Sequence, residues 1–188
     1  MIFCKTGQLT IRSLERDDKH LIVKWLSDNQ VLQYYEGRNN PHDEAMIEEK
    51  LYRENSNEIR CIIEYSQIPI GYIQFYSVSD EEREEYGYAN FQGTIFGTDQ
   101  FIGEATYWGQ GIGKVLMKSI TNFLMTVKGA QKIVLDPQSW NQRAIKCYEK
   151  SGFKKVKLLP KQELHEGELK DCWLMEYDAM HKVESSNK

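Results

Sequence analysis

The sequence lacks the usual features of membrane, secreted and metal-binding proteins. No apolar run approaches the roughly 18 residues of a membrane-spanning helix, and the N-terminal M-I-F-C-K-T-G-Q lacks the charged and then apolar order of a signal peptide. The four cysteines lie far apart, form no C-x-x-C motif and do not cluster with the four histidines. We therefore expect no metal site and no disulfide framework, and we expect a cytoplasmic protein that does not bind membranes.

Clustered positive charge is also absent. The chain has 24 Lys and Arg against 28 Asp and Glu, a net charge of −4, and no basic stripe interleaved with aromatic residues. This argues against nucleic-acid binding and suits a cationic small substrate. With 188 residues, 40% of them hydrophobic, the chain is long enough for one domain with a real core. We expect one domain over residues 1–180, a polar tail at residues 181–188, and a monomer or weak dimer.

The hydrophobic pattern predicts an α/β (α+β) fold in which helices flank one mixed, mostly antiparallel sheet. The order of elements is β-α-α-β-β-β-α-β-α-β-β, and the charged segment at residues 80–90 is predicted to be a loop. The predicted elements are a strand (9–14), a helix capped by Asp17 or Asp18, a helix through Met46, Ile47 and Leu51, a hairpin (60–65 and 70–77), a strand (94–103), a helix (111–127), a strand (132–136), a helix (141–152) and two strands (153–159 and 171–177).

Two motifs are predicted to carry the chemistry. The first, G-Q-G-I-G-K at residues 109–114, opens a predicted helix, where backbone N–H groups and the helix dipole favour a pyrophosphate. The second, N-Q-R-A-I-K-C-Y-E-K-S-G-F at residues 141–153, puts Asn141, Ala144 and Tyr148 on adjacent turns of one helix face. Each motif alone could be an ordinary helix start or a core helix. Together they indicate a coenzyme A site with a tyrosine that protonates the departing thiolate.

These motifs resemble those of the GNAT acyltransferase superfamily, although Trp108 stands where the family's phosphate loop usually has Gln or Arg. The resemblance implies the GNAT fold, acetyl-CoA as cosubstrate and no metal. It also implies direct attack by an amine in a ternary complex, with Tyr148 as general acid and main-chain contacts to pantetheine from residues 100–103. The implied coenzyme-binding residues are Gln100, Phe101, Ile102, Gly103, Gln110, Gly111, Ile112, Gly113, Lys114, Asn141, Ala144 and Tyr148.

Longer segments narrow the resemblance. V-L-Q-Y-Y-E-G-R, D-Q-F-I-G-E and E-L-H-E-G-E-L-K-D-C-W-L-M-E-Y are similar to aminoglycoside 6′-N-acetyltransferases, including the acetyltransferase half of bifunctional acetyltransferase–phosphotransferase resistance enzymes, of which this chain would be a stand-alone form. The resemblance implies acetylation of the 6′-amine of aminoglycosides and antibiotic resistance, with Asp99 beside the reacting amine. Asp99 or a water molecule would be the base. The implied acceptor-binding residues are Trp25, Glu36, Asp99, Asp136 and Asp171.

Two other functions stay open at this point. Y-W-G-Q-G-I-G also occurs in protein and ribosomal N-terminal acetyltransferases, which need a groove for a peptide. A GNAT-like domain that senses acyl-CoA without catalysis would keep the glycine motif but lack the acceptor carboxylates. Cys147 next to Tyr148 invites a nucleophilic cysteine, but no histidine or aspartate has the spacing to activate it.

Overall fold

In the computed structural model, which describes residues 1–53 and 56–178, eight strands form one sheet. Its spatial order is β1-β2-β3-β4-β5-β6-β8-β7, and every neighbouring pair is antiparallel except β5 and β6, which are parallel. This confirms the mixed, mostly antiparallel sheet. The predicted tail at residues 181–188 lies outside the described residues. The strands are β1 (Ile2–Thr6), β2 (Leu9–Ser13), β3 (Ile59–Tyr65), β4 (Ile68–Ser77), β5 (Ile95–Ile102), β6 (Lys132–Leu135), β7 (Lys154–His165) and β8 (Glu168–Asp178).

Helices cover both faces of the sheet. Alternation along β4 sends Ile73 and Phe75 into a core shared with the amphipathic α5, while Tyr72 points to the opposite face and packs with Trp25 of α1. In the described part of the chain, no helix is long and apolar enough to cross a membrane. The helices are α1 (Lys19–Trp25), α2 (Asn29–Leu32), α3 (Glu44–Leu51), α4 (Asp80–Tyr86), α5 (Ile112–Thr126) and α6 (Gln142–Lys150).

The prediction of a loop after β4 was wrong, because residues 80–86 form α4. Ser79 and Glu82 make a capping box: the Ser79 hydroxyl accepts from the Glu82 N–H, and the Glu82 carboxylate accepts from the Ser79 N–H at 2.8 Å. Gly87 ends the helix with a φ of 86°. Acidic residues in the first turn also stabilise the helix, because their negative charge lies at the positive end of the helix dipole. The S-x-x-E pattern was therefore the sequence signal for this helix.

The N-terminal region differs from the prediction in two ways. Residues 2–6 form an additional edge strand, paired with β2. Asp18 does not cap α1 with its side chain, because its two carboxylate oxygens accept hydrogen bonds from Arg12 at 2.7 and 2.8 Å. Arg12 also donates to Glu64 at 2.7 Å. A largely buried ion-pair network thus ties β2 and β3 to the start of the first helical layer.

The sheet opens between its two parallel strands. β5 pairs with β6 only over Ile95–Gly97, opposite Lys132–Val134. It continues to Ile102 while paired with β4 on its other edge. After Gly97 the β6-facing edge of β5 pairs with no strand among the described residues, so backbone groups of Thr98 and Gln100 on this edge can bind another ligand. This separation forms a cleft in the middle of the molecule.

Candidate active site

The cleft at the split sheet has a volume of about 940 Å³. It is lined by the outer half of β5, the loop and first turn of α5, the loop after β6, one face of α6 and parts of α2 and β7. Most of the residues predicted for the site come together here. Those lining the cleft are Glu36, Asp99, Gln100, Phe101, Ile102, Gly111, Ile112, Gly113, Lys114, Asp136, Asn141, Ala144 and Tyr148.

The glycine motif forms a tight turn at the start of α5. Gly109 and Gly111 have φ angles of 75° and 78°, a conformation that glycine adopts without strain. Gly111 is the N-cap of α5, and no side chain caps this helix. The helix start therefore presents backbone N–H groups to the cleft, as an anion site requires.

Close packing of α5 on α6 accounts for Cys147. A β-carbon added to Gly113 would lie 3.0 Å from the Cys147 sulfur, so this glycine lets the two helices approach. Burial raises the pKa of the Cys147 thiol, which disfavours the thiolate needed by a nucleophile. Cys147 therefore serves packing in this structure, in line with the expectation that it is not a nucleophile.

Asn141 and Tyr148 stand at the two ends of the cleft-facing side of α6. The Asn141 side-chain oxygen accepts from the Ala144 N–H at 3.2 Å and caps the helix. The Tyr148 hydroxyl accepts a hydrogen bond from Gln100 Nε2 at 2.8 Å. Burial raises the pKa of Tyr148, so its hydroxyl keeps its proton at neutral pH. Tyr148 can therefore act as a proton donor in the cleft.

Asp99 lies on the other face of β5 from Gln100. Its Oδ2 accepts from Gln74 Nε2 at 2.9 Å. Burial raises the pKa of Asp99, and the hydrogen bond from Gln74 lowers it. Asp99 lines both the main cleft and a smaller cavity of about 560 Å³, which Glu58 and Glu82 also line. It therefore stands on the partition between the two spaces.

Two further carboxyl groups share the cleft with Asp99. Burial, together with the negative charges of Asp99 and Glu163, raises the pKa of Asp136 to about 7. Burial also raises the pKa of Glu163, whose Oε1 accepts from Gln138 Nε2 at 2.7 Å. No group of three or more His, Cys, Asp or Glu in the described residues is arranged to hold a metal ion. Within the described ranges, no Lys or Arg forms an ion pair with these carboxyl groups, so they suit separate positive groups of a ligand.

Trp25 and Gly103 do not line the cleft, which corrects two predicted roles. Trp25 is fully buried, and its Nε1 donates to Glu104 at 2.8 Å, so it cannot contact an acceptor at the rim. The Gly103 N–H is already bonded to the Ile70 carbonyl at 2.8 Å. The Trp25 ring occupies the space where a Gly103 side chain would lie. This glycine serves the packing of α1.

Gln110 and Asp171 are the other two predicted site residues outside the cleft lining. Gln110 Nε2 donates to the Thr106 carbonyl at 2.7 Å and braces the turn. Asp171 Oδ1 accepts from the Lys161 N–H at 2.8 Å, at an irregularity in the pairing of β7 and β8. Asp171 therefore has a structural partner, and Glu163 on β7 supplies a carboxylate to the cleft instead. Glu163 was not among the residues predicted for the site.

The contact of Arg143 with two aromatic rings was also not predicted. The guanidinium carbon lies 4.0 Å from the centre of the Tyr34 ring and 4.1 Å from that of Trp108, and all three residues line the cleft. Trp108 Nε1 donates to the Ile102 carbonyl at 2.8 Å. The tryptophan at the family's Gln or Arg position thus helps to hold an arginine at the cleft. The adjacent tyrosines of V-L-Q-Y-Y-E-G-R were the available signal.

Comparison with known proteins agrees with this geometry. A family model described as an acetyltransferase (GNAT) domain matches residues 15–160. The chain is 27% identical over 157 residues to aminoglycoside N(6')-acetyltransferase type 1 of Klebsiella pneumoniae. This match covers 78% of this chain and 74% of that protein.

Two solved structures have similar folds. One is AAC(6')-Ib in complex with ribostamycin and coenzyme A, with a TM-score of 0.74, 24% identity, and coverage of 94% of this chain and 97% of that one. The other is spermidine N-acetyltransferase from Vibrio cholerae in complex with CoA and spermine, with a TM-score of 0.76, 21% identity, and coverage of 95% and 99%. At these identities the two structures support the fold, while the family model covers most of the sequence. The chain belongs to the GNAT acetyltransferase family.

Proposed function

We propose that this protein transfers the acetyl group of acetyl-CoA to the 6′-amine of aminoglycoside antibiotics and so confers resistance to them. The observation that carries the proposal is the meeting of Tyr148 with three partly buried carboxyl groups, Asp99, Asp136 and Glu163, in one cleft. The similarity to an aminoglycoside N(6')-acetyltransferase over three quarters of the chain supports the same substrate class.

Acetyl-CoA would occupy the split in the sheet. The start of α5 suits its pyrophosphate, with Lys114 nearby as a counter-charge, and the free edge of β5 suits the amides of an extended pantetheine arm. The amine would attack the thioester carbonyl directly, and backbone N–H groups of β5 would stabilise the developing oxyanion. Tyr148 would then protonate the departing thiolate.

The acceptor would bind through its ammonium groups. Asp99 would hold the 6′-amine, and Asp136, Glu163 and Glu36 would bind other amines from the surrounding walls. An attacking amine must be neutral, whereas a nearby carboxylate favours its charged form. Loss of the amine proton to Asp99 or to a water molecule is therefore part of the proposed reaction.

The direct test compares neomycin with paromomycin, two aminoglycosides that differ in having an amine or a hydroxyl at the 6′ position. Thiol release from acetyl-CoA should occur with neomycin, and NMR of the product should place the acetyl group at the 6′ nitrogen. Paromomycin should bind competitively but turn over poorly. Equal turnover of both compounds would contradict 6′-acetylation.

Spermine and a panel of N-terminal peptides serve as rival acceptors. The spermidine acetyltransferase likeness makes a polyamine the main rival, and a preference for spermine by kcat/KM would replace the aminoglycoside proposal. Turnover of peptides would favour a protein acetyltransferase. Donor binding without thiol release for any acceptor would favour an acyl-CoA sensor.

We also propose that the GNAT domain spans residues 1–180 and acts in the cytoplasm as a monomer or weak dimer without nucleic acid or membrane partners. The net charge of −4 supports the absence of nucleic acid. Light scattering at several protein concentrations would test the oligomeric state.

A further inference from the structure

We propose that Tyr72 and Gln74 are positioning residues that hold Asp99 as a correctly aimed carboxylate for the acceptor amine. This inference rests on the proposed function, because it assigns Asp99 to the acceptor. Neither residue belongs to the two sequence motifs, and Tyr72 does not line the cleft. They would act on the reaction only through Asp99.

The three side chains form a directed chain of hydrogen bonds. The Tyr72 hydroxyl donates to Gln74 Oε1 at 2.8 Å, and Gln74 Nε2 donates to Asp99 Oδ2 at 2.9 Å. Gln74 lies directly opposite Asp99 in the pairing of β4 with β5. Tyr72 precedes Gln74 by two residues on β4 and lies on the same face. Tyr72 is only 2% exposed, so its hydroxyl depends on this partner.

Hydrogen bonds at both ends of the Gln74 amide fix its orientation. An amide that accepts from tyrosine through its oxygen must turn its NH₂ group toward Asp99. With the opposite orientation, the amide oxygen would face the carboxylate, and the two acceptors would repel each other. The Asp99 carboxylate, which can only accept, thus selects this orientation, and the Tyr72 hydroxyl stabilises it by donating to the amide oxygen.

The surroundings of Asp99 make this one donor important. In the described part of the chain, Gln74 is the only side chain that donates a hydrogen bond to Asp99. Arg53 lines the smaller cavity, on the far side of the partition from the main cleft, and is 58% exposed. The titratable groups that act on Asp99 from neighbouring elements are Tyr35, Glu58, Tyr72, Tyr76, Glu82, Tyr86, Asp136, Tyr148 and Glu163. Every member of that set is acidic or neutral.

Two variants separate positioning from packing. Tyr72→Phe keeps the ring, which stacks on Phe101 at 5.7 Å, and removes only the hydroxyl. Gln74→Leu keeps much of the side-chain volume and removes the donor to Asp99. Tyr65→Phe on β3 is the control, because this tyrosine lies outside both cavities.

The first measurement is the pH profile of kcat/KM for neomycin. Gln74→Leu should move the acidic midpoint that reports Asp99 upward by about one pH unit, since a lost charge-assisted hydrogen bond favours the protonated acid. Tyr72→Phe should move it in the same direction by less, and Tyr65→Phe should leave it in place. The KM for acetyl-CoA should be unchanged in all three. A folded Gln74→Leu enzyme with an unchanged midpoint would overturn the proposal.

A double-mutant cycle tests whether Tyr72 acts on kcat/KM through Asp99. Tyr72→Phe should lower kcat/KM in the wild-type background and have almost no effect in an Asp99→Asn background, where there is no charge to stabilise. An equal loss in both backgrounds would mean that Tyr72 acts through packing and would overturn the positioning role.

A third measurement does not depend on turnover. Carbon-13 NMR of labelled aspartate side chains reports the pKa of Asp99 directly, and this pKa should rise in Gln74→Leu and, by less, in Tyr72→Phe. If the wild-type enzyme acetylates no aminoglycoside but the two pKa values rise, then the proposed function fails while the Tyr72–Gln74 control of Asp99 stands. If the enzyme acetylates aminoglycosides but neither variant changes the pKa of Asp99, then the proposed function stands and the positioning role of Tyr72 and Gln74 fails.

Discussion

Gln100 Nε2 donates a hydrogen bond to the Tyr148 hydroxyl oxygen at 2.8 Å. This bond uses a lone pair of the oxygen, so the tyrosine's own proton remains available to an acceptor in the cleft. Gln100 directly follows Asp99 on β5, and the two side chains point to opposite faces of the sheet. Two consecutive residues thus place the proposed acid and the proposed amine-binding carboxylate on either side of the opening between β5 and β6.

Tyr148→Phe should lower kcat by about 10²–10⁴-fold while leaving the affinity for acetyl-CoA near that of wild type, because only the proton for the leaving thiolate is lost. Pre-steady-state kinetics would show whether chemistry is rate-limiting. Tyr52→Phe is a suitable control, since its hydroxyl bonds the Glu15 carbonyl away from the cleft. A Tyr148→Phe enzyme within about threefold of wild-type kcat, with chemistry rate-limiting, would rule out this acid.

Gly111→Val should abolish acetyl-CoA binding, because a β-branched residue is strongly strained at a φ of 78° and would distort the turn that presents the N–H groups. Calorimetry measures the binding. Gly129→Val is a matched control after the other end of α5: that glycine has a φ of 70° and also has nothing within 4 Å of an added β-carbon. Both variants should lose stability, but only Gly111→Val should lose the ligand. Equal binding by both would place the pyrophosphate elsewhere.

Asp99→Asn should lower kcat/KM for neomycin by the equivalent of about 1.5–3 kcal/mol, the usual cost of losing a hydrogen bond to a charged group, and by more if Asp99 is also the base. Acetyl-CoA binding should be spared, since the proposed donor site uses backbone groups and α5. Steady-state kinetics with each substrate varied separates the two effects. Undiminished kcat/KM would remove Asp99 from the acceptor site.

Acceptor affinity should rise as the pH rises through about 7, because burial raises the pKa of Asp136 to about 7 and only its carboxylate attracts an ammonium group. Titration calorimetry with neomycin in buffers of different ionisation enthalpy should show protons released from the protein near neutral pH. Asp136→Asn should reduce both the affinity and the release. Proton release that is identical in wild type and Asp136→Asn would assign it to another group, with Glu163 the next candidate.

The same carboxyl group should make the free protein less stable as the pH rises. The pKa of Asp136 is about 7 in the folded protein against an ordinary value of 3.8, so the folded state binds more protons between these limits. The free energy of unfolding therefore falls across this window, by at most about 4 kcal/mol for a difference of three pKa units. Asp136→Asn should raise it by about 1 to 4 kcal/mol at pH 8 and change it little at pH 4. Urea unfolding at the two pH values measures this, and a destabilised Asp136→Asn protein at pH 8 would contradict the sign.

Residues predicted to bind the coenzyme lie at the cleft more consistently than those predicted to bind the acceptor. The glycine turn and α6 are local: Gly111, Asn141 and Tyr148 take their places from the turn or helix in which they lie, so periodicity was enough. Acceptor carboxylates come from separate strand ends, and their direction depends on register. Asp171 and Glu163 lie near irregular pairing of β7 with β8, and one such irregularity decides which carboxylate faces the cleft.

Burial was the other property that local patterns could not supply. Trp25 fits the apolar face of α1, but its full burial depends on the Gly103 backbone, which packs against its ring from a distant part of the sequence. The helix at residues 80–86 was missed for a different reason: its charged residues suggested a solvated loop, although the Ser79–Glu82 capping box is a local signal. The first error is tertiary in origin, and the second was avoidable.

The short pairing of β5 with β6 affects the stability of the whole fold. Only three residue pairs join the two strands, so the two halves of the sheet meet along a seam. An acyl donor in this gap would bind the free β5 edge as a neighbouring strand does, and its binding energy would add to the cohesion of the sheet. The thermal midpoint should then rise with the concentration of acetyl-CoA, by the logarithmic dependence that holds for any ligand of the native state. The cosubstrate would be a structural component as well as a reagent, and the enzyme without it would be less stable.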